Sequence, residues 1–188
     1  MLHRAARCNR NIDVRERQVS VRYIDTSVIV SALDPLDREH ALAKRVIHDR
    51  GDKVVSELTL VEMASVIRRR QYSLDKKAIP DSPNIIDLYG RVLYILQEMD
   101  LRVLFPKESI IGSPFGNMTS PYFRALELSS DIPMRTLDLL HLGYASEIGS
   151  SLSISLDFLT RDNEFAKYSE KIREILGIRV LVLNHALK

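Results

Sequence analysis

Short apolar segments rich in β-branched residues alternate with longer amphipathic segments along most of this chain. This alternation constrains the fold more than any other feature. It begins at residues 21–24 (Val-Arg-Tyr-Ile) and ends at residues 178–183 (Ile-Arg-Val-Leu-Val-Leu). Strands that alternate with helices favour parallel pairing, because each helix returns the chain to the same end of the sheet. The pattern therefore predicts an α/β fold around a largely parallel sheet.

Capping and helix-breaking residues set the ends of the predicted elements. Asp34 followed by Pro35 predicts a helix start, with Asp as the N-cap and Pro in the first turn. Gly51, Gly149 and Gly177 each predict a helix end. Strands are predicted at residues 21–24, 53–55, 101–105, 153–159 and 178–183, and helices at residues 36–49, 56–71, 84–99, 122–128, 136–148 and 162–176.

The N-terminal segment differs in composition from the rest of the chain. Residues 1–20 contain five Arg against Asp13 and Glu16, a local charge of +3, whereas the whole chain carries only +2. The segment also has no apolar periodicity. It predicts a basic extension that is either disordered or translated from an upstream start codon, followed by a single domain at residues 21–188.

The middle of the chain is the least regular part. Six of its seven prolines fall between Pro80 and Pro133, which predicts an insertion around residues 80–133. Within it, residues 106–121 are rich in Gly, Ser and Pro and are predicted to form a loop. Two roles for this loop stay open, since it is equally suited to gating a substrate and to packing a dimer.

Several classes of protein are excluded by what the chain lacks. Cys8 is the only cysteine, so an intrachain disulfide and a cysteine-based zinc or iron–sulfur site are excluded. The seven glycines form neither a dinucleotide-binding nor a P-loop motif. No stretch approaches the roughly 18 apolar residues of a membrane helix, and residues 1–20 lack the apolar run of a signal peptide. We therefore expect a cytoplasmic protein.

Four acidic residues lie where a solvated surface would not place them. Asp25 ends the first predicted strand and Asp162 follows the fourth, and the carboxyl ends of parallel strands meet at one edge of the sheet. Glu62 and Asp138 lie in helical segments that are otherwise mostly apolar, where a carboxylate is costly unless paired or metal-bound. For Asp25, Asp138 and Asp162, helix capping or the helix dipole is the alternative explanation.

Together the four acids indicate a cation. Carboxylates at close range repel one another, and no Lys or Arg accompanies all four. A set of oxygen ligands without Cys or His suits Mg²⁺ or Mn²⁺. These ions activate water and stabilise in-line displacement at phosphorus. The sequence therefore predicts a site for divalent metal and phosphodiester chemistry.

The segments around the acids resemble the four acidic blocks of the PIN-domain nuclease family, in the family's order. These blocks are Tyr23-Ile-Asp-Thr-Ser-Val-Ile-Val30, Ser56-Glu-Leu-Thr-Leu-Val-Glu62, Leu137-Asp-Leu-Leu-His-Leu142 and Leu159-Thr-Arg-Asp-Asn-Glu-Phe165. The resemblance covers about residues 21–183 and is specific as a set. It implies a three-layer α/β/α fold with a central four- or five-stranded, mainly parallel sheet. It also implies a nuclease, usually a ribonuclease, that depends on Mg²⁺ or Mn²⁺.

The resemblance also implies roles for individual residues. It implies that Asp25, Glu62, Asp138 and Asp162 are the catalytic, metal-binding acids. It also implies that the hydroxyl groups of Thr160 and Ser27 support the site. Asp157 and Glu164 are alternatives to Asp162 as the fourth ligand. His141, one turn from Asp138, is either a proton shuttle or a residue that packs in the core or around the site.

The expected function is that of an endoribonuclease that hydrolyses RNA with metal-activated water. It would be the toxin of a toxin–antitoxin pair, related to the VapC toxins, or an RNA-processing nuclease. Its expected partners are RNA, an antitoxin protein and a second copy of the chain. Binding to a membrane is not expected. The alternative is a non-catalytic regulatory or binding module on the same fold. A phosphotransfer protein with an Asp nucleophile is less favoured, because the segment after Asp25 lacks a second Asp.

Overall fold

The structure of the protein is a computed structural model, and it describes residues 21–74, 85–107 and 109–183. The predicted extension at residues 1–20 lies outside the described residues, as do residues 75–84, the last five of which belong to the predicted insertion. Strands and helices alternate along the described chain. In chain order they are β1 (Val21–Ile24), α1 (Thr26–Leu33), α2 (His40–Ile47), β2 (Lys53–Val55), α3 (Glu57–Leu74), α4 (Ile85–Glu98), β3 (Leu101–Val103), β4 (Ile110–Ser113), β5 (Gly116–Thr119), α5 (Ser120–Ser129), α6 (Thr136–Leu152), β6 (Leu156–Thr160), α7 (Glu164–Lys167), α8 (Ser169–Leu176) and β7 (Arg179–Val182).

Five strands of the described chain form a parallel sheet in the order β3-β2-β1-β6-β7. Tyr23 in the middle strand pairs with Val54 of β2 on one side and with Phe158 of β6 on the other. Strands β1 to β3 form one half of the sheet, and β6 and β7 form the other half on the opposite side of β1. The strand order therefore reverses between β1 and β6. In open α/β sheets, ligands bind in the crevice outside the carboxyl ends of the strands at such a reversal. The predicted α/β fold is confirmed, and its sheet is parallel and five-stranded.

Two buried clusters, one on each face of the sheet, hold the helices. Because successive side chains of a strand point to opposite faces, Tyr23 and Phe158 join one cluster, whereas Ile24 and Leu159 join the other. The first cluster contains the buried apolar residues of α5, α6 and α8, and the second contains those of α1, α2 and α4. The sheet is thus covered on both faces, which makes three layers.

Helices α5 and α6 approach each other so closely that one contact requires glycine. A Cβ atom at Gly143 would lie 2.3 Å from the carbonyl oxygen of Pro121 and 3.4 Å from the amide nitrogen of Ala125. Both neighbours are backbone atoms, which cannot rotate away as a side chain can. This contact fixes α6, the helix that carries Asp138, against α5.

The prediction of a loop at residues 106–121 is wrong for its central part, which forms a β-hairpin. Strands β4 and β5 pair antiparallel, with Ser113 opposite Gly116. The hydroxyl of Ser113 donates to the carbonyl of Gly116 at 2.7 Å, and Gly116 has a φ of 107°, a conformation that favours glycine. Half of the eight strand residues are Gly, Ser or Asn, so the segment has the composition of a loop although β4 begins with two Ile.

The helix start predicted at Asp34 is also wrong. Asp34 is the C-cap residue of α1, and its carboxylate accepts a hydrogen bond from the amide of Leu36 at 3.0 Å. The next helix begins only at His40. An Asp-Pro pair suits a turn as well as a helix start, because the Asp side chain bonds the amide two residues on in either case.

Two other helix predictions differ from the structure. The helix predicted at residues 162–176 is interrupted at Tyr168, which separates α7 from α8. Helix α6 continues past Gly149 to Leu152, and Ser153 ends it in the left-handed conformation with a φ of 55°. Gly177 ends α8 as predicted, with a φ of 66°. None of the helices in the described ranges combines the length and the apolar composition that a membrane crossing requires.

Candidate active site

Asp25 lies at the carboxyl end of β1, in the crevice where the strand order reverses. Its amide donates to the carbonyl of Leu159 at 2.9 Å, which continues the pairing of β1 with β6. Its carboxylate oxygen Oδ2 accepts hydrogen bonds from Ser27 Oγ and Thr160 Oγ1, both at 2.6 Å. Asp25 is the N-cap residue of α1, yet its side chain makes no capping bond within the described chain. Helix capping therefore does not explain this carboxylate.

The two hydroxyl groups that bind Asp25 also connect it to the end of β6. Thr160 is fully buried, and its hydroxyl accepts a hydrogen bond from the amide of Asp162 at 3.0 Å. The hydroxyl of Ser27 accepts one from the amide of Arg161 at 3.1 Å. The two strand ends that carry Asp25 and Asp162 are thus held together by side-chain hydrogen bonds.

Glu62 enters the same crevice from α3. Its oxygen Oε2 accepts hydrogen bonds from the hydroxyl of Thr26 and from Nε2 of His141, the latter at 2.7 Å. Burial raises the pKa of Glu62, but the hydrogen bond and charge of His141 and the hydrogen bond of Thr26 outweigh burial, so the pKa is lowered. Glu62 is therefore ionised at neutral pH.

Asp138 lies in the first turn of α6 and is the least satisfied of the four acids. Its oxygen Oδ2 is buried and has no hydrogen-bond partner among the described residues. Burial, together with the negative charges of Asp162 and Asp25, raises the pKa of Asp138 from 3.8 to about 6. The helix dipole alone would lower this pKa, so the dipole does not account for the environment of Asp138.

Asp162 lies beyond the end of β6, two residues after Thr160. Its oxygen Oδ1 accepts a hydrogen bond from the amide of Glu164 at 2.8 Å, at the start of α7. The N-cap residue of α7 is Asn163, so this bond belongs to the turn before the helix and Asp162 is not the predicted cap. Asp162 also forms a group with Asp138 and Glu164 in which one ligand atom from each residue lies within 4.8 Å of the others.

The structure thus brings the four predicted acids to one edge of the sheet. A second group with ligand atoms within 4.8 Å of one another contains Asp25, Glu62 and His141. The two groups are neighbours, because the charges of Asp25 and His141 both act on the pKa of Asp138. Carboxylate oxygens crowded in this way, one of them buried without a partner, form an acidic cluster that can hold a divalent cation.

The two alternatives to Asp162 lie in different places. Asp157 is buried near the start of β6, and Arg179 of β7 binds both of its oxygens, at 2.8 Å and 2.6 Å. This ion pair neutralises the carboxylate within the sheet and leaves it outside both acidic groups. Glu164 lies within the group of Asp138 and Asp162, so it stays an alternative ligand.

The structure adds residues that the sequence did not single out. Thr26 donates a hydrogen bond to Glu62 itself, whereas Tyr23 bonds His141 and Ser56. Thr26 directly follows Asp25, so a polar residue beside the first acid is the signal that could have identified it. Tyr23 and Ser56 look like an ordinary strand residue and a helix cap, and nothing local marks them.

The raised pKa of Asp138 makes the stability of the metal-free protein depend on pH. Between about pH 4 and about pH 6 the folded state keeps a proton that the unfolded state has released. The stabilising contribution is therefore complete below about pH 4 and is lost as the pH rises through about 6. At pH 7, Asp138→Asn should increase the free energy of unfolding in EDTA by about 1 kcal/mol, since water screens the half-exposed charge.

Urea unfolding of the wild type and Asp138→Asn from about pH 4 to 8 measures this effect. The advantage of the variant should grow across the pH range in which the wild-type carboxyl ionises. An advantage that is the same at every pH would show that charge repulsion at Asp138 is not its cause.

Comparison with known proteins supports the architecture. Residues 22–105, which run from β1 past β3 and include the first two of the four acids, match the family model of the PIN domain. Among solved structures, the chain is similar to one in the crystal structure of VapBC2 from Rickettsia felis bound to a DNA fragment from their promoter. The TM-score is 0.50 with 11% sequence identity, covering 87% of this chain and 99% of that one. At this identity the likeness shows the fold alone. No curated protein sequence matches the chain.

Proposed function

We propose that this protein is a PIN-domain endoribonuclease that depends on a divalent metal and hydrolyses RNA phosphodiester bonds with metal-activated water. The observation that supports this most is the convergence of four acids from four separate elements. Asp138 in particular has a buried oxygen without a hydrogen-bond partner in the described chain. A buried, unpaired carboxylate oxygen costs free energy, which a cation would offset.

We assign Asp25, Glu62 and Asp138 to hold the ion, with Asp162 completing the cluster. Ser27 and Thr160 occupy Oδ2 of Asp25, so its Oδ1 is the oxygen left for a cation. A bound Mg²⁺ or Mn²⁺ would lower the pKa of water and neutralise charge on the phosphate. The side chains contribute by fixing the positions of the carboxylates before substrate arrives.

Arg135 supports a polyanionic substrate at this site. It is the exposed N-cap residue of α6, and its positive charge acts on Asp138. The amides at a helix N-terminus and a neighbouring Arg both favour phosphate. Arg161, in contrast, is engaged by Asp37 at 2.6 Å. We therefore place the phosphodiester backbone of RNA at the start of α6.

Removal of the metal tests this function. Single-stranded RNA should be cut in Mg²⁺ or Mn²⁺, cleavage should stop in EDTA, and either ion added in excess should restore it. Cleavage that persists in EDTA would contradict a metal-dependent reaction. Tight RNA binding without cleavage under any of these conditions would instead support the non-catalytic module.

We further propose that the protein is a cytoplasmic toxin with an antitoxin partner and forms a homodimer. The support is the shared fold with a chain of a VapBC2 complex, and the apolar surface of α4, where Tyr89 and Leu93 are 57% and 58% exposed. Exposed apolar side chains on one helix are typical of protein interfaces. Purification from the native host, with identification of any co-purifying small protein and measurement of the mass, tests both partners.

A further inference from the structure

A continuous chain of hydrogen bonds, buried except at its last bond, leads from Ser56 to Glu62. Ser56 Oγ lies 2.7 Å from the hydroxyl of Tyr23, which lies 2.9 Å from Nδ1 of His141, and Nε2 of His141 lies 2.7 Å from Oε2 of Glu62. Ser56, Tyr23 and His141 are all buried. The chain joins residues of β1, α6 and α3 with the residue that precedes α3, so it connects three of the elements around the site.

The chemistry of Glu62 determines which atoms donate. An ionised carboxylate only accepts hydrogen bonds, so Nε2 of His141 carries a proton and donates it to Glu62. Nδ1 then accepts from Tyr23 when the ring is neutral and donates to Tyr23 when it is charged. The ring of His141 has the same orientation in both cases, because both of its nitrogens are bound.

The aromatic rings beneath the site fix this orientation. Tyr23 stacks on Phe158 with ring centroids 5.4 Å apart, and Phe158 stacks on Phe165 at 4.9 Å. His141 packs edge-on against Tyr23 at 5.9 Å. The stack runs from β1 through β6 to α7, so packing restricts the rotamers of the residues that orient His141.

Glu62 and Asp25 are held in the same way. His141 and Thr26 both bond Oε2 of Glu62, so Oε1 is the oxygen that we assign to a cation. In Asp25, Oδ2 is bound twice, and Oδ1 lies 3.7 Å from Nε2 of His141. His141 therefore lies between the two carboxylates that would share the ion.

We propose that His141, oriented by Tyr23, is a positioning residue that holds the Glu62 carboxylate for the metal and is not itself a ligand. This inference rests on the proposed function. It follows from the engagement of both ring nitrogens, since a ligating nitrogen would have to give up either Glu62 or Tyr23. A partner that orients a metal ligand in this way typically changes metal affinity when it is removed.

Calorimetric titration with Mn²⁺ tests the proposal without measuring activity. His141→Leu removes the donor and should weaken Mn²⁺ binding by about 10–100-fold. Tyr23→Phe keeps the ring stack and removes only the hydroxyl, so it should weaken binding by less, about 10-fold. His141→Gln carries an N–H at a comparable reach and should recover most of the affinity.

Tyr144→Phe is the matched control. Tyr144 lies one turn after His141 on α6, and its hydroxyl donates to Glu57 at 3.1 Å, outside the acidic groups. Its removal should leave Mn²⁺ affinity unchanged. Thermal unfolding of every variant shows which ones fold, and should His141→Leu not fold, Tyr23→Phe and His141→Gln decide the question.

Electron spin-echo spectroscopy of the Mn²⁺-loaded wild type separates positioning from ligation. We expect no coupling from a directly bound imidazole nitrogen, and such a coupling would overturn the proposal. Unchanged affinity in His141→Leu and Tyr23→Phe would also overturn it, while leaving the proposed function intact. A wild type that binds no Mn²⁺ would contradict both.

Discussion

Asp25→Asn is expected to reduce RNA cleavage by about 10³-fold, because charge stabilisation by a bound metal is worth several kcal/mol and each 1.4 kcal/mol is tenfold in rate. Asparagine keeps the shape of the side chain, and its carbonyl oxygen can still accept from Ser27 and Thr160. It loses the negative charge. If the carbonyl oxygen keeps the hydrogen bonds of Ser27 and Thr160, the amide nitrogen takes the place of Oδ1, the oxygen assigned to the cation. The measurement is the rate of single-stranded RNA cleavage at saturating Mg²⁺.

Asp157→Asn is the matched control for this prediction. It makes the same chemical change at a buried strand residue whose carboxylate binds Arg179 rather than the acidic groups. This variant should lose stability, because Arg179 is left without its charged partner, but it should keep cleavage near the wild-type rate below its melting temperature. If Asp25→Asn cuts RNA as fast as the wild type, our assignment of the site is wrong.

Gly143→Ala is expected to lower the free energy of unfolding by about 3 kcal/mol, because it overpacks the contact between α5 and α6. The added methyl group would lie 2.3 Å from the carbonyl oxygen of Pro121, so one helix must move away from the other. For a chain of this length, 3 kcal/mol corresponds to a fall of roughly 6–12 °C in melting temperature. Calorimetry or circular dichroism measures it.

Gly90→Ala is the control for the intrinsic helix preference of alanine. Gly90 is also a helix-interior glycine, in α4, and a Cβ atom there meets nothing within 4 Å. Alanine should therefore stabilise the protein at this position by about 0.5–1 kcal/mol. Equal effects of the two substitutions would show that α5 and α6 do not pack as described.

The sequence predicts the acidic cluster well because its signals are local. Asp25 and Asp162 follow apolar strands, and the rules of parallel sheets place such residues at one edge. Glu62 and Asp138 interrupt apolar helix segments, where a charge needs a partner. These two patterns, with the resemblance in four blocks, were sufficient to indicate one site.

The hydrogen bonds that organise the cluster could not be predicted in this way. His141 and Tyr23 are 118 positions apart, and Tyr23 and Ser56 are 33 apart. Their contact depends on which faces of α6 and β1 meet, which capping and periodicity do not specify. The hairpin β4–β5 was missed for another reason. Its segment is rich in Gly, Pro and Ser, which favour turns and loops and therefore do not indicate strands.

A crystal grown with Mn²⁺ tests the central claim most directly, through the anomalous scattering of the ion. We predict a peak about 2.1 Å from carboxylate oxygens of Asp25, Glu62 and Asp138, with the ring nitrogens of His141 still bound to Glu62 and Tyr23. A peak elsewhere, or none at saturating Mn²⁺, would contradict the assignment of these acids to a metal site.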